Sequence, residues 1–170
     1  MKARFIYFDG SERTVDVQCK TENGITKAFL PKEAADESVQ YIDFLYDYFT
    51  ANVGDEGYFV TNQAADGTFI TRFMEREDCA FSKDHSFIAC YGINKGKGGT
   101  LAIVTGMRYD FGMEIMLKNG IYSLYPRFYI DGDEMYEDIC VEFYELKDGS
   151  YSAMARKYRE FQLTRGGCVP

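Results

Sequence analysis

The sequence predicts a mainly β domain: an antiparallel β-sandwich with one internal helix and a C-terminal linker helix. Three observations carry this. Short strand-forming segments recur along the chain, separated by Asn-Gly, Asp-Gly and Gly-rich turns. The 170 residues include 14 Tyr and 14 Phe but no Trp, and Tyr and Phe favour sheets and pack their faces. Only two stretches, 36–52 and 150–165, space their apolar residues by three and four.

Residues 3–8 read as the first strand. Residues 13–19 alternate, with Val15, Val17 and Cys19 on one face, which suits a half-buried strand. Asn23–Gly24 is a strong hairpin turn, and Thr26–Leu30 is the return strand. The rhythm then changes. Val39, Ile42, Leu45, Tyr46 and Phe49 have helical spacing, Asp36 or Ser38 offers a cap and Gly54 a stop, so 36–52 reads as the internal helix. A strand pair is the other reading.

The β pattern returns at Gly57. Expected strands are Tyr58–Thr61, Thr68–Phe73, Ser86–Ile93, Thr100–Met107, Met113–Lys118, Tyr122–Ile130 and Tyr136–Leu146. Asp66–Gly67, Asn94–Gly99, Asn119–Gly120 and Asp131–Gly132 separate them. Short turns of this kind argue for antiparallel pairing, not a parallel sheet with helical crossovers. No internal repeat or linker interrupts the chain, so residues 1–149 form one domain.

Residues 150–170 close the chain differently. Ser150 or Ser152 can cap a helix after the Asp148–Gly149 turn. Tyr151, Met154, Ala155, Tyr158 and Phe161 draw one apolar stripe, and Gly166, Gly167 and Pro170 end it. Such a stripe needs a partner. Either a missing domain supplies it, making 150–170 a linker helix, or the domain's own sheet does.

Composition excludes some functions. A chain of this length buries roughly 70% of its unfolded surface and needs neither disulfide nor metal to fold. The net charge is −8, which repels phosphate backbones and anionic lipid, so neither nucleic acid nor a membrane surface is an expected partner. No apolar run approaches the ~20 residues of a membrane span. The five cysteines, Cys19, Cys79, Cys90, Cys140 and Cys168, are widely spaced, with no CxxC and a single histidine, His85. They read as reduced, mostly buried thiols of a cytoplasmic protein, with no zinc site and no cofactor.

Few residues point to chemistry. A nucleophilic triad would have to use His85, and nothing near it resembles a nucleophile elbow. Residues 94–100 are glycine-rich, but a phosphate-binding loop needs GxxxxGK[ST] opening a helix, and a strand follows here. Asp131, Asp133 and Glu134, with Glu137 and Asp138 nearby, could offer calcium oxygen ligands or simply form an acidic turn; the EF-hand pattern is absent, so no metal is assigned. With 27 acidic residues, a carboxylate pair for glycoside hydrolysis is always available and therefore uninformative. Arg108, Tyr109 and Asp110 are more specific. They place a cation, a ring and a carboxylate in one strand connection, a set suited to grasping hydroxyls or to forming an Arg–Asp pair on a surface turn.

The end of the chain adds a resemblance. Residues 138–144, then Tyr151, Met154, Ala155, Tyr158, Arg159 and Glu160, then Arg165, Gly166 and Gly167, resemble a junction in bacterial multidomain glycoside hydrolases. There a galactose-mutarotase-like β-supersandwich ends in a strand, and a helix of the type YxxMAxxYREYL followed by RGG leads into a catalytic (β/α)8 barrel. Gly54, Glu56, Gly57, Tyr58 and Phe59 also look like the GxEGYF stretch of these sandwiches. The resemblance loosely covers nearly the whole chain, with its specific motifs in 54–60 and 138–167. Phe161-Gln162-Leu163 departs from the usual Tyr-Leu.

The resemblance implies a non-catalytic N-terminal supersandwich that packs against a following barrel and shapes one wall of its sugar cleft. The catalytic carboxylates would lie in that barrel, so no catalytic residue falls on these positions. The expected partners are the following catalytic domain and carbohydrate, and the expected substrate-touching residues are Arg108, Tyr109 and Asp110. Two other classes stay open: a free-standing carbohydrate-binding module, which needs an exposed Tyr or Phe platform, and a small protein-interaction domain that docks through its last helix.

Overall fold

A computed structural model describes residues 1–63, 67–83, 88–132 and 135–165. The chain runs β1 (Lys2–Tyr7), β2 (Glu12–Asp16), β3 (Gln18–Glu22), β4 (Ile25–Leu30), a short 3-10 turn at Lys32–Ala34, β5 (Val39–Phe44) and β6 (Phe49–Asn52). It continues through β7 (Tyr58–Gln63), β8 (Gly67–Arg72), β9 (Cys79–Lys83), β10 (Cys90–Asn94), β11 (Gly99–Gly106), β12 (Phe111–Lys118), β13 (Ile121–Tyr129) and β14 (Ile139–Leu146). The one α-helix among the described residues, α1 (Tyr151–Thr164), follows.

The strands form two seven-stranded sheets. The first has the order β2-β1-β5-β13-β12-β9, with β6 also paired to β13. The second has the order β3-β4-β14-β11-β10-β7-β8. Every pairing among them is antiparallel. The mainly β antiparallel sandwich is therefore the observed fold.

An aromatic core fills the space between the sheets. Phe5, Phe44, Phe59, Phe111 and Phe128 are wholly buried, with Tyr91, Tyr122 and Phe143 beside them. Rings meet edge to face, as Phe44 does on Phe128 at 6.1 Å and Phe59 on Phe73 at 4.9 Å. Each such side chain stabilises the fold by roughly 1.5–3 kcal/mol. Turns follow their sequence chemistry: Asn23 and Gly24 take φ of 53° and 75°, and Asn119 and Gly120 take 51° and 76°, the primed-turn geometry that suits twisted hairpins. Pro126 sits where β13 passes from β6, paired at 121–124, to β5, paired at 127–129, so its missing N–H spoils neither ladder.

The expected internal helix at 36–52 is instead β5, a turn and β6. Its helical spacing is produced by a bulge. Ile6 pairs with Tyr41, but Tyr7 pairs with Val39, which inserts Gln40 as an extra residue. Val39 and Ile42 therefore both face the core although three residues apart, and Phe44 follows at normal strand spacing. Leu45 then turns inward with φ of 57°. A bulge and a left-handed turn together imitate a helix.

Three smaller corrections follow. The strand expected over 13–19 divides at Val17, where β2 ends in the first sheet and β3 begins in the second. Strand β9 is an addition to the strands expected from the sequence. Among the described residues the thiols are not mostly buried: Cys90 is, Cys79 and Cys140 are half-buried, and Cys19 is exposed. Asp66, His85, Ser86, Phe87, Asp133, Glu134, Gly166, Gly167, Cys168 and Pro170, used in the sequence reading, lie outside the described residues.

Candidate functional site

Where β11 leaves the second sheet and β12 enters the first, residues 107–110 cross one end of the sandwich. The crossing is tightly held. Met107 takes a positive φ of 57°, and its amide donates to the Glu137 carboxylate at 2.7 Å. The Asp110 amide donates to the Met107 carbonyl at 3.2 Å, and the Tyr129 amide to the Asp110 carbonyl at 2.9 Å.

The three expected substrate-touching residues share this rim but not one target. Asp110 accepts a 2.6 Å hydrogen bond from the Tyr136 hydroxyl. Arg108 lies over the Tyr109 ring at 5.3 Å and also reaches Tyr158 on α1. Its Nε is buried without a hydrogen-bond partner. Tyr109 and Tyr136 are 66% and 58% exposed, so the rim presents two rings beside a carboxylate. Burial and then Asp110 hold the Tyr136 hydroxyl well above its ordinary pKa, leaving it a neutral donor. In the sequence Tyr136 marks only the start of an expected strand. Its role depends on a residue 26 positions earlier, which no local pattern reveals.

A second polar constellation lies on the outer face of the first sheet. Register aligns Arg4, Asp43 and Arg127 in one row across β1, β5 and β13. Asp43 is fully buried and accepts from Arg4 Nη2 at 2.9 Å and from Arg127 Nε at 2.7 Å and Nη2 at 3.0 Å. The guanidinium of Arg4 covers Tyr46 at 4.7 Å, and that of Arg127 covers Tyr41 at 5.0 Å. Burial pushes the nearby Tyr125 hydroxyl up to about 12. One carboxylate shared by two cations is a brace, with no lone pair aimed at solvent.

The third constellation involves α1. Ser150 caps the helix, its hydroxyl accepting from the Ala153 amide at 3.2 Å, and Asn94 Nδ2 donates to the Gly149 carbonyl at 2.6 Å. The apolar stripe finds its partner at home. Met154, with Tyr158 and Phe161, packs on Val60, Cys90, Leu101, Ile103 and Tyr144 of the second sheet's outer face. Tyr151, at 46% exposed, stays largely in solvent. At the far end Arg165 grips the buried Glu142.

Among the described residues, no cluster of three or more His, Cys, Asp or Glu side chains is placed to hold a metal ion. No helix among them is long and apolar enough to cross a membrane.

No protein-family model matches the chain, and no curated protein matches it. Solved structures do. The chain is similar to α-N-acetylgalactosaminidase NagBb from Bifidobacterium bifidum, a glycoside hydrolase, in its ligand-free form (TM-score 0.63, 11% identity). The complex with Gal-NHAc-DNJ gives a TM-score of 0.67 at 12% identity, and the GalNAc complex 0.63 at 13%. Each match covers 96% of this chain but only 28% of the enzyme. The chain thus shares its fold with a small part of a larger multidomain glycoside hydrolase.

Proposed function

We propose that this chain is a non-catalytic N-terminal domain, of the galactose-mutarotase-like supersandwich type, in a carbohydrate-active enzyme. In this reading it belongs to a cytoplasmic glycoside hydrolase, packs against a following (β/α)8 barrel and shapes one wall of its sugar cleft. The observation that carries the reading is the fold match, which takes in 96% of this chain and 28% of a glycosidase.

The geometry suits such a role. Helix α1 is fastened at both ends, by Asn94 to Gly149 and by Arg165 to Glu142, so whatever follows Arg165 leaves from a fixed point. A rigid rim with exposed rings and a hydrogen-bonded carboxylate can stack on a sugar face and accept from a hydroxyl.

The coding sequence tests the reading directly. Continuation past Pro170 into several hundred residues with a barrel pattern is expected, and a stop codon there overturns it. In the full polypeptide, Asp110→Ala is expected to raise KM for a glycoside substrate; unchanged kinetics remove the rim from the sugar site. The exposed Tyr109 and Tyr136 rings also favour a second reading, a free-standing carbohydrate-binding module, which predicts sugar binding by the 170-residue chain alone.

A further inference from the structure

The packing of α1 on the second sheet is incomplete. A cleft of about 340 Å³ lies between them. Its floor is sheet residues Val60, Cys90 and Leu101; its roof is Met154, Tyr158 and Gln162; Tyr151, Ala155 and Ile88 stand around it. Packed interfaces ordinarily close such gaps, because unfilled volume forfeits dispersion contacts. Two features keep this one open.

The first is residue size. Gly92 allows Met154 to lie directly on the strand, since a Cβ there would fall 2.4 Å from the Met154 sulfur. Small side chains at Cys90 and Ala155 then leave space where larger ones would meet. The second is the fastening of the helix at Gly149 and Arg165, which stops α1 settling further onto the sheet.

The lining also has a definite chemistry. Among the described residues its lining contains no Asp, Glu, Lys, Arg or His, so a charged ligand would lose its hydration without compensation. Its polar groups are few. Asn62 is held in place by donating to the Cys90 carbonyl at 3.1 Å and accepting from Thr68 at 3.0 Å, and Gln162 and the Tyr158 hydroxyl lie on the helix side. A mostly apolar wall with few polar groups, one of them the oriented Asn62 amide, at the small end of the volumes that hold ligands, is the pattern of a small-molecule site. A sugar, with a hydroxyl on nearly every carbon, would leave most of them unpaired here. Tyrosine rings and the Met154 thioether favour an aromatic guest.

We propose that this cleft binds a compact, neutral, single-ring aromatic molecule carrying one hydroxyl. The ring lies in the cleft against Met154, Cys90 and Leu101, and the hydroxyl pairs with an amide side chain of the lining, Asn62 or Gln162. The site is separate from the sugar-facing rim and does not depend on the glycosidase reading.

The test uses the 170-residue chain with p-cresol as probe, followed by amide chemical shifts and by NOEs from the probe ring to methyl groups. Saturable shifts at Cys90, Leu101 and Met154, with NOEs to the Met154 and Leu101 methyls, are the expected result. Ala155→Phe, which plugs the mouth, should weaken binding at least about tenfold, the equivalent of about 1.4 kcal/mol. The NOEs on the unaltered chain decide the matter if that variant fails to fold. Absence of saturable shifts, NOEs to another part of the molecule, or binding unchanged in a folded Ala155→Phe each overturn the proposal.

Discussion

Arg165, just past the last turn of α1, holds Glu142 in the middle of β14 by two parallel hydrogen bonds, Nη1 to Oε2 at 3.0 Å and Nη2 to Oε1 at 2.7 Å. Glu142 is 2% exposed and also receives the Tyr144 hydroxyl at 2.6 Å and Lys27 Nζ at 3.3 Å. A buried carboxylate is tolerated because its lone pairs are filled. The pair fixes where the chain leaves the sandwich.

Removing one partner should loosen that exit. Arg165→Ala leaves Glu142 with Lys27 and Tyr144, so the expected loss is about 1–2 kcal/mol. Urea denaturation measures the loss, and hydrogen exchange should rise mainly in residues 158–165. Exchange unchanged there would show that packing alone holds α1.

The same carboxylate gives a pH dependence. Burial raises the Glu142 pKa, but Arg165, Tyr144 and Lys27 outweigh it and hold the pKa below the ordinary glutamate value. A depressed folded pKa contributes stability above the unfolded value of about 4.3 and loses it as pH falls through the folded one. Stability should therefore drop below about pH 4, and Glu142→Gln should flatten that part of the curve. Thermal unfolding across pH 2.5–7 checks it.

Asp43 braces the outer face of the first sheet. Asp43→Asn leaves Arg4 and Arg127 facing each other without their shared anion. Both arginines keep about a quarter of their side chains exposed, so the expected cost is about 2–3 kcal/mol, below that of a fully enclosed pair. Chemical denaturation reads it, and the double variant Asp43→Asn/Arg4→Met should recover part of the loss.

Two glycines differ in what they face. A Cβ on Gly106 would lie 2.1 Å from the Asp138 carbonyl oxygen, a backbone atom, whereas one on Gly92 meets the flexible end of Met154. Gly106→Ala should cost about 3 kcal/mol and Gly92→Ala about 1 kcal/mol. The order of the two melting temperatures is the decisive measurement.

Thiol reactivity should follow exposure. Cys19 is exposed, while burial pushes the Cys90 thiol up to about 12, and the thiolate is the reactive form. Alkylation of the native chain, mapped by peptide mass, should label Cys19 before Cys79 and Cys140, and Cys90 last.

Much of the fold was legible in order. The hairpin turns at Asn23–Gly24 and Asn119–Gly120, the strands from β10 to β14 and the Ser150-capped helix follow from preferences acting over a few residues. The candidate sites were less so. Arg108, Tyr109 and Asp110 are neighbours in sequence, yet Asp110 pairs with Tyr136 and Arg108 reaches Tyr158. The Arg4–Asp43–Arg127 brace went unread because its members lie 39 and 84 positions apart, and only strand register unites them.

By itself the sequence determined that this is a mainly β chain with antiparallel strands and a closing amphipathic helix, because residue conformation and side-chain periodicity are local properties. Tertiary structure alone decided the rest. It divided the strands between two sheets and turned the helical spacing of 39–49 into a bulged strand pair. It also supplied the partner for the α1 stripe. Each of these outcomes depends on which distant surface removes a given apolar face from water, and that choice is made only when the whole chain packs.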